Sequence, residues 1–314
     1  MSNVLLGTAV GDALGVPFET KLANFEPLVA WDGKTYLGSV HHKLLPGQYS
    51  DDTQMSLMVA ESLIENHGFN PDDLSQRYVD WMVSGRARGY GKTTLLAVQN
   101  LIQGKHWSES GIPGSYGNGT AMRSAPFGVY FRNDLQSLIA ICKMDSAITH
   151  ASDEAEAGSI AIALASAHAV NGDTGDLLDQ LWKVLPDSKV KSTIYSLDSL
   201  IDSPYITPEQ ALRVIGTKGD VRQTVPAALY CYLKFDTYHE AVVASIRAGG
   251  DTDTTAAIVG ALFGAKLGMR GIDSILATSV EESERLIELD SQLYNRSNDS
   301  FLKETGKNAT KESK

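Results

Sequence analysis

Gly249-Gly250-Asp251-Thr252-Asp253-Thr254-Thr255 runs without a break into residues 256–268, AAIVGALFGAKLG. An Asp-hydroxyl cluster ahead of an uninterrupted apolar run marks a helix start. Within the run, Gly260, Gly264 and Gly268 recur at every fourth position. Glycine inside a helix costs about 0.5–1 kcal/mol relative to alanine, so a stripe of three calls for a reason. Close approach of another backbone or a ligand supplies one. The same stripe occurs at Gly7, Gly11 and Gly15. We therefore expect central helices near 4–16 and 254–268; the competing reading makes these loop glycines.

Outward from that stretch, helical spacing dominates. Met55, Met58, Val59, Ser62 and Leu63 share one face, as do Leu74, Tyr78, Trp81 and Met82. Segments 135–149, 153–170, 174–185, 208–215, 222–234, 238–248 and 274–294 also favour helix. Strand alternation is confined to short candidates at 35–40 and 127–131. The expected class is all-α, a compact orthogonal multi-helix bundle. Residues 1–296 are read as a single helical domain, and 297–314, polar with Lys and Glu interspersed, as a disordered tail.

Composition narrows the function classes. The net charge of −11 opposes attraction to a nucleic-acid backbone, so no nucleic-acid partner is expected. No run approaches the ~18 consecutive apolar residues that span a membrane. The start, MSNVLLGTAVGDALG, lacks the basic region of a signal peptide. Only Cys142 and Cys231 are present, too few for a disulfide framework or zinc spacing. Together these features predict a cytoplasmic protein.

A second Asp-hydroxyl cluster, Ser50-Asp51-Asp52-Thr53, precedes the periodic run QMSLMVAESLIENH. Either cluster alone reads as a helix N-cap. An EF-hand is excluded in the 251 segment, because its sixth position is Ala256 and its twelfth Leu262. What separates a cap from a metal site is excess: one carboxylate suffices for a cap, and four Asp stand at two helix starts. Several carboxylates are needed to outweigh the positive end of a helix dipole before a cation binds there. An oxygen-only donor set suits Mg²⁺ or Mn²⁺ rather than zinc.

Other motifs are weaker. Gly117-Asn118-Gly119-Thr120 presents backbone N–H groups suited to phosphate oxygens, and equally fits a turn before a helix. It misses the dinucleotide pattern, which requires Gly where Met122 stands. Gly91-Lys92-Thr93 fails as a P-loop because Arg86 occupies the first glycine position, leaving a helix that starts near Thr93. His150 ends one helix just before Ser152 caps the next, where a histidine ordinarily steadies the helix dipole. Glu19 would ordinarily be a surface carboxylate.

In this order, GTAVGDALGVPFE, GQYSDDTQMSL, RGYGKTT, GNGTAMRSAPFG, ITHASDEAEAG and AGGDTDTTAAIVGALFGAKLG resemble the ADP-ribosylglycohydrolase family, from Gly7 to Gly268. That family includes dinitrogenase-reductase-activating glycohydrolases and ADP-ribosylarginine hydrolases. The resemblance implies a metal-lined cleft holding two divalent ions, Mg²⁺ or Mn²⁺. Its implied ligands are Ser50, Asp51, Asp52, Asp251, Asp253 and Thr254; position 50 is Thr in many relatives, and Ser keeps the hydroxyl. Glu19 resembles the carboxylate that relatives use in catalysis or gating, and Asp52 and Asp253 join it as catalytic candidates. Asn118, Gly119 and Thr120 resemble the loop beside the ADP-ribose diphosphate, and His150 a further cleft residue.

The implied reaction is removal of ADP-ribose from a modified side chain, with arginine the leading attachment, by water attack at the distal ribose C1. The partner is then an ADP-ribosylated protein or a small ADP-ribosyl adduct. Two other readings stay open: a binuclear phosphohydrolase of an ADP-ribosyl nucleotide, and an ADP-ribose-binding or partner-blocking protein with a toxin or target as partner.

Overall fold

The helix Val4–Gly15 is buried along its whole length, and so is nearly all of the helix Thr252–Leu267. Both carry apolar residues on every side, the pattern of a helix that never meets water. In the computed structural model the two run against each other at backbone distance. A Cβ on Gly7 would stand 2.2 Å from the Gly260 carbonyl oxygen, one on Gly11 2.1 Å from that of Ala256, and one on Gly15 2.4 Å from that of Thr252. A Cβ on Gly264 would likewise meet the Asn3 carbonyl oxygen at 2.3 Å. The stripes are therefore the contact. Gly268 is the exception: it lies past the helix end at φ 62°, a backbone angle that glycine alone adopts without strain.

The structure describes residues 2–21, 24, 26–173 and 176–309, with side chains described throughout except at 26, 27 and 297–309. Around the paired helices pack Asp153–Asn171, Val221–Lys234, Tyr238–Arg247 and Ala125–Tyr130. The helix Asp51–Asn66 lies against Val4–Gly15, and the terminal helix Ser283–Ala309 against both. The architecture is all-α. Among the described residues, strand is limited to Ile112–Pro113 paired in parallel with His150–Ala151, and no helix is long and apolar enough to cross a membrane.

Several expectations need correction. The stretch 127–131 is not a strand: Ala125–Tyr130 is a helix, begun by Pro126 in its first turn, where proline's fixed φ favours helix. From 35–40 only Ser39 pairs, with Leu44, as an isolated bridge. The helix expected over 274–294 is two, Ser274–Ser279 and Ser283–Ala309, with Glu282 in the left-handed region at φ 54° between them. The helix expected from 174 begins at Leu177, and 174–175 lie outside the described residues. Of the expected tail, 310–314 and the side chains of 297–309 also lie outside them.

Candidate metal centre and cleft

Ser50 caps the helix Asp51–Asn66, its hydroxyl accepting from the Asp52 N–H, and Asp51 and Asp52 fill the first turn. The Ser50 hydroxyl also donates to Asp52 Oδ2 at 3.0 Å. Stronger capping comes from a residue that local sequence reading passed over. Asp12, fully buried on the helix Val4–Gly15, accepts the N–H groups of Ser50 and Thr53 and, at 2.6 Å, the Thr53 hydroxyl. With the helix N-terminus served by Asp12, the carboxylates of Asp51 and Asp52 face the cleft.

At the other helix start, Asp251 occupies the N-cap position without a side-chain cap bond. It instead accepts from Asn118 Nδ2 at 2.6 Å. Thr254 Oγ1 reaches Asp52 Oδ2 at 3.4 Å and so ties the two clusters together. Donor oxygens of Asp12, Asp52 and Asp253 lie within 4.8 Å of one another, as do those of Glu19, Asp251 and Asp253. The residues predicted from two distant segments thus converge.

Burial pushes all five aspartates above the ordinary carboxylate range, Asp51, Asp52 and Asp253 well above it. The second cause for those three is repulsion: the charge of Asp12 raises Asp51 and Asp52, and that of Asp251 raises Asp253. Asp52 Oδ1 and Asp253 Oδ1 are buried with no hydrogen-bond partner. Buried acceptors left unpaired are costly, and five converging carboxylates more so. A divalent cation answers both costs, so the donor set fits one, and its hardness fits Mg²⁺ or Mn²⁺.

The cleft over these carboxylates has a volume of about 300 Å³. Gly117, Asn118, Gly119 and His150 also line it. A Cβ on Gly117 would stand 2.8 Å from His150 Nε2, and one on Gly119 2.7 Å from His150 Cε1. The glycines therefore make room for the imidazole. Burial and the charge of Arg123 push the His150 pKa down to about 3, so the ring is neutral and does not steady a dipole as a cation would. Its Nδ1 meets Thr149 Oγ1 at 2.9 Å, and that oxygen accepts from Arg123, itself paired with Asp145 in full burial. Nδ1 is thereby engaged away from the cleft, and Nε2 is the ring nitrogen at the cleft wall beside Gly117.

Not every predicted residue faces the cleft. Thr120 is fully buried and donates to the Ala155 carbonyl, and Ser50 sits behind Asp52. The Asn118 side chain is taken up by Asp251 and Thr224, which makes it a support for a carboxylate of the cleft. Glu19 lies at the cleft edge in direct contact with His42, a residue that carried no motif. Asp12 did leave a signal: it is the lone carboxylate in the apolar helix VLLGTAVGDALG.

The family profile of the ADP-ribosylglycohydrolases matches residues 2–302. The chain is 30% identical to an uncharacterized protein of Archaeoglobus fulgidus, covering 93% of this chain and 95% of that one. It is 27% identical to ADP-ribosylarginine hydrolase Tri1 of Serratia proteamaculans, over 93% of this chain and 78% of the relative. Identity to ADP-ribosylhydrolase ARH3 of Mus musculus is 26%, over 89% and 87%. A solved structure, an ADP-ribosylglycohydrolase-related protein complex, superposes with a TM-score of 0.77 at 25% identity, covering 94% of this chain and 96% of that one.

Proposed function

The chain belongs to the ADP-ribosylglycohydrolase family, and on that premise we propose that it hydrolyses the bond between ADP-ribose and a modified side chain, ADP-ribosyl-arginine foremost. The observation that carries this reading is the pair of orphaned buried oxygens, Asp52 Oδ1 and Asp253 Oδ1, within a cluster of raised carboxylates. Arginine as the attachment rests on the SDDT-x-M segment, close to that of arginine-specific relatives.

Asp51, Asp52, Asp251, Asp253 and the Thr254 hydroxyl would hold two divalent ions, with Ser50 supporting Asp52. When bound, the ions supply Lewis-acid polarisation and a water of lowered pKa. Asp52 and Asp253 stand where positive charge at the ribose C1 would be offset by carboxylates. Glu19, at the cleft edge, exchanges the proton between water and the leaving group. Gly117 and Gly119 keep the His150 ring at the wall, where its Nε2 meets the ADP-ribose. Asn118 holds Asp251 in place by its side-chain amide.

We take residues 1–296 as one domain and the cytoplasm as its compartment, since Cys142 and Cys231 are unpaired and buried. Its partner is an ADP-ribosylated protein or a small ADP-ribosyl adduct. The test incubates the chain with ADP-ribosyl-arginine, ADP-ribosyl-serine and O-acetyl-ADP-ribose, with and without Mg²⁺, and reads products by mass. Mg²⁺-dependent release of free ADP-ribose supports the reading. Release of AMP points to the phosphohydrolase, and no turnover of any adduct to a binding protein.

A further inference from the structure

Glu19 also faces a second donor set, made of residues outside the aspartate cluster. His41 and His42 lie in a turn closed by Ser39 and Leu44, whose backbones exchange hydrogen bonds of 2.9 and 3.0 Å. The His42 N–H donates to Ser39 Oγ, and Lys43 completes the turn at φ 57°. The two imidazoles meet edge to face with centroids 4.5 Å apart. One donor atom each from Glu19, His41 and His42 fall within 4.8 Å of one another. The His42 side chain is 12% exposed and that of Glu19 23%, while His41 is exposed, so the set has a sheltered floor and an open mouth.

We propose that Glu19, His41 and His42 bind one transition-metal ion of the Zn²⁺ class, separately from the oxygen-only centre, and that this ion inhibits the enzyme by engaging Glu19. Two imidazole nitrogens and one carboxylate oxygen are the donors that Zn²⁺ takes, with water completing the shell, whereas Mg²⁺ prefers oxygen throughout. Ligands about 2.0–2.2 Å from a shared zinc ion stand roughly 3.4 Å apart, so modest rotamer shifts close the set. Glu19 is the pivot. Its carboxylate also lies within 4.8 Å of donor oxygens of Asp251 and Asp253, and holding it on the histidine side removes it from the cleft. The binding site stands on this geometry alone; the inhibition rests on the hydrolase reading above.

Calorimetry tests the site directly, with Zn²⁺ titrated into the full chain already saturated with Mg²⁺. One binding event is expected in the wild type, weakened at least tenfold in His41→Ala and in His42→Ala and retained in Asp253→Asn. An unchanged number of Zn²⁺ equivalents and unchanged affinity in His41→Ala would overturn the proposal. For the regulatory half, Zn²⁺ should inhibit Mg²⁺-supported hydrolysis, and His41→Ala should resist it tenfold with its zinc-free rate unchanged. Equal inhibition of both proteins refutes that half. A wild type with no hydrolytic activity would count against the proposed function and leave the calorimetry to decide the site.

Discussion

A single oxygen of Asp12, Oδ2, accepts both the backbone N–H of Thr53 at 3.1 Å and its hydroxyl at 2.6 Å. One buried carboxylate on the N-terminal helix thereby does the capping for the helix that carries Asp51 and Asp52. The division of labour matters because it leaves the carboxylates of Asp51 and Asp52 to line the cleft.

Asp12→Asn tests that division. The amide keeps the volume but can turn a donor toward donors, leaving a buried N–H of Ser50 or Thr53 unpaired. Unfolding in urea should show a loss of about 1–3 kcal/mol, with Mg²⁺ affinity reduced at the same time. Stability and Mg²⁺ binding both at wild-type values would show that Asp12 is a bystander.

The glycine contact makes a sharper demand on packing. Gly264→Leu puts a side chain where the Asn3 carbonyl oxygen already sits 2.3 Å from the missing Cβ. Overpacking of this kind typically costs about 1–3 kcal/mol, and backbone, which yields less than a side chain, places this case at the upper end. A denaturation curve that overlays the wild type would refute the close approach.

Asp253→Asn removes one of the two orphaned carboxylates. Calorimetry should show Mg²⁺ or Mn²⁺ binding lost or at least tenfold weaker, and turnover abolished, while the metal-free protein becomes no less stable. That last expectation follows from sign: the lost group is one whose ionised form burial and Asp251 disfavour. Unaltered stoichiometry and affinity would return both Asp clusters to the status of simple caps.

Gly119→Ala carries a prediction about the cleft wall. Its new methyl would meet His150 Cε1 at 2.7 Å and push the ring aside. KM for an ADP-ribosyl substrate should rise severalfold with Mg²⁺ affinity intact, because the aspartates are untouched. Kinetics with an unchanged KM would show that His150 does not contact the substrate.

A pH dependence comes from Asp290, which accepts the N–H groups of Leu5 and Leu6 at the start of the first helix. Burial outweighs those bonds and raises its pKa to about 7. A raised acid stabilises the fold fully below the unfolded value near 3.8, and that contribution is lost as pH rises through about 7. At saturating Mg²⁺, the stability of the wild type relative to Asp290→Asn should therefore fall by a few kcal/mol between pH 4 and about 7, the opposing contribution of the buried neutral His150 being common to both proteins. Parallel pH profiles for the two proteins would remove Asp290 as the cause.

Local sequence determined the helical class, the two glycine stripes and the two Asp-hydroxyl helix starts, because each is written in residues a few positions apart. Three glycines at a spacing of four and an Asp-hydroxyl cap are properties of one segment, and they survive whatever the segment packs against. Tertiary structure decided the rest. That Asp12 caps a helix beginning 39 residues later, that Asn118 steadies Asp251, and that Thr120 turns inward all depend on which helix lies beside which. The glycines around Asn118 looked like a phosphate loop by type, yet their spacing answers to the bulk of His150, which no local pattern announces. The His42 contact with Glu19 is of the same kind: hydrogen bonds and repulsions act over a few ångströms, and only the packed chain brings those atoms that near.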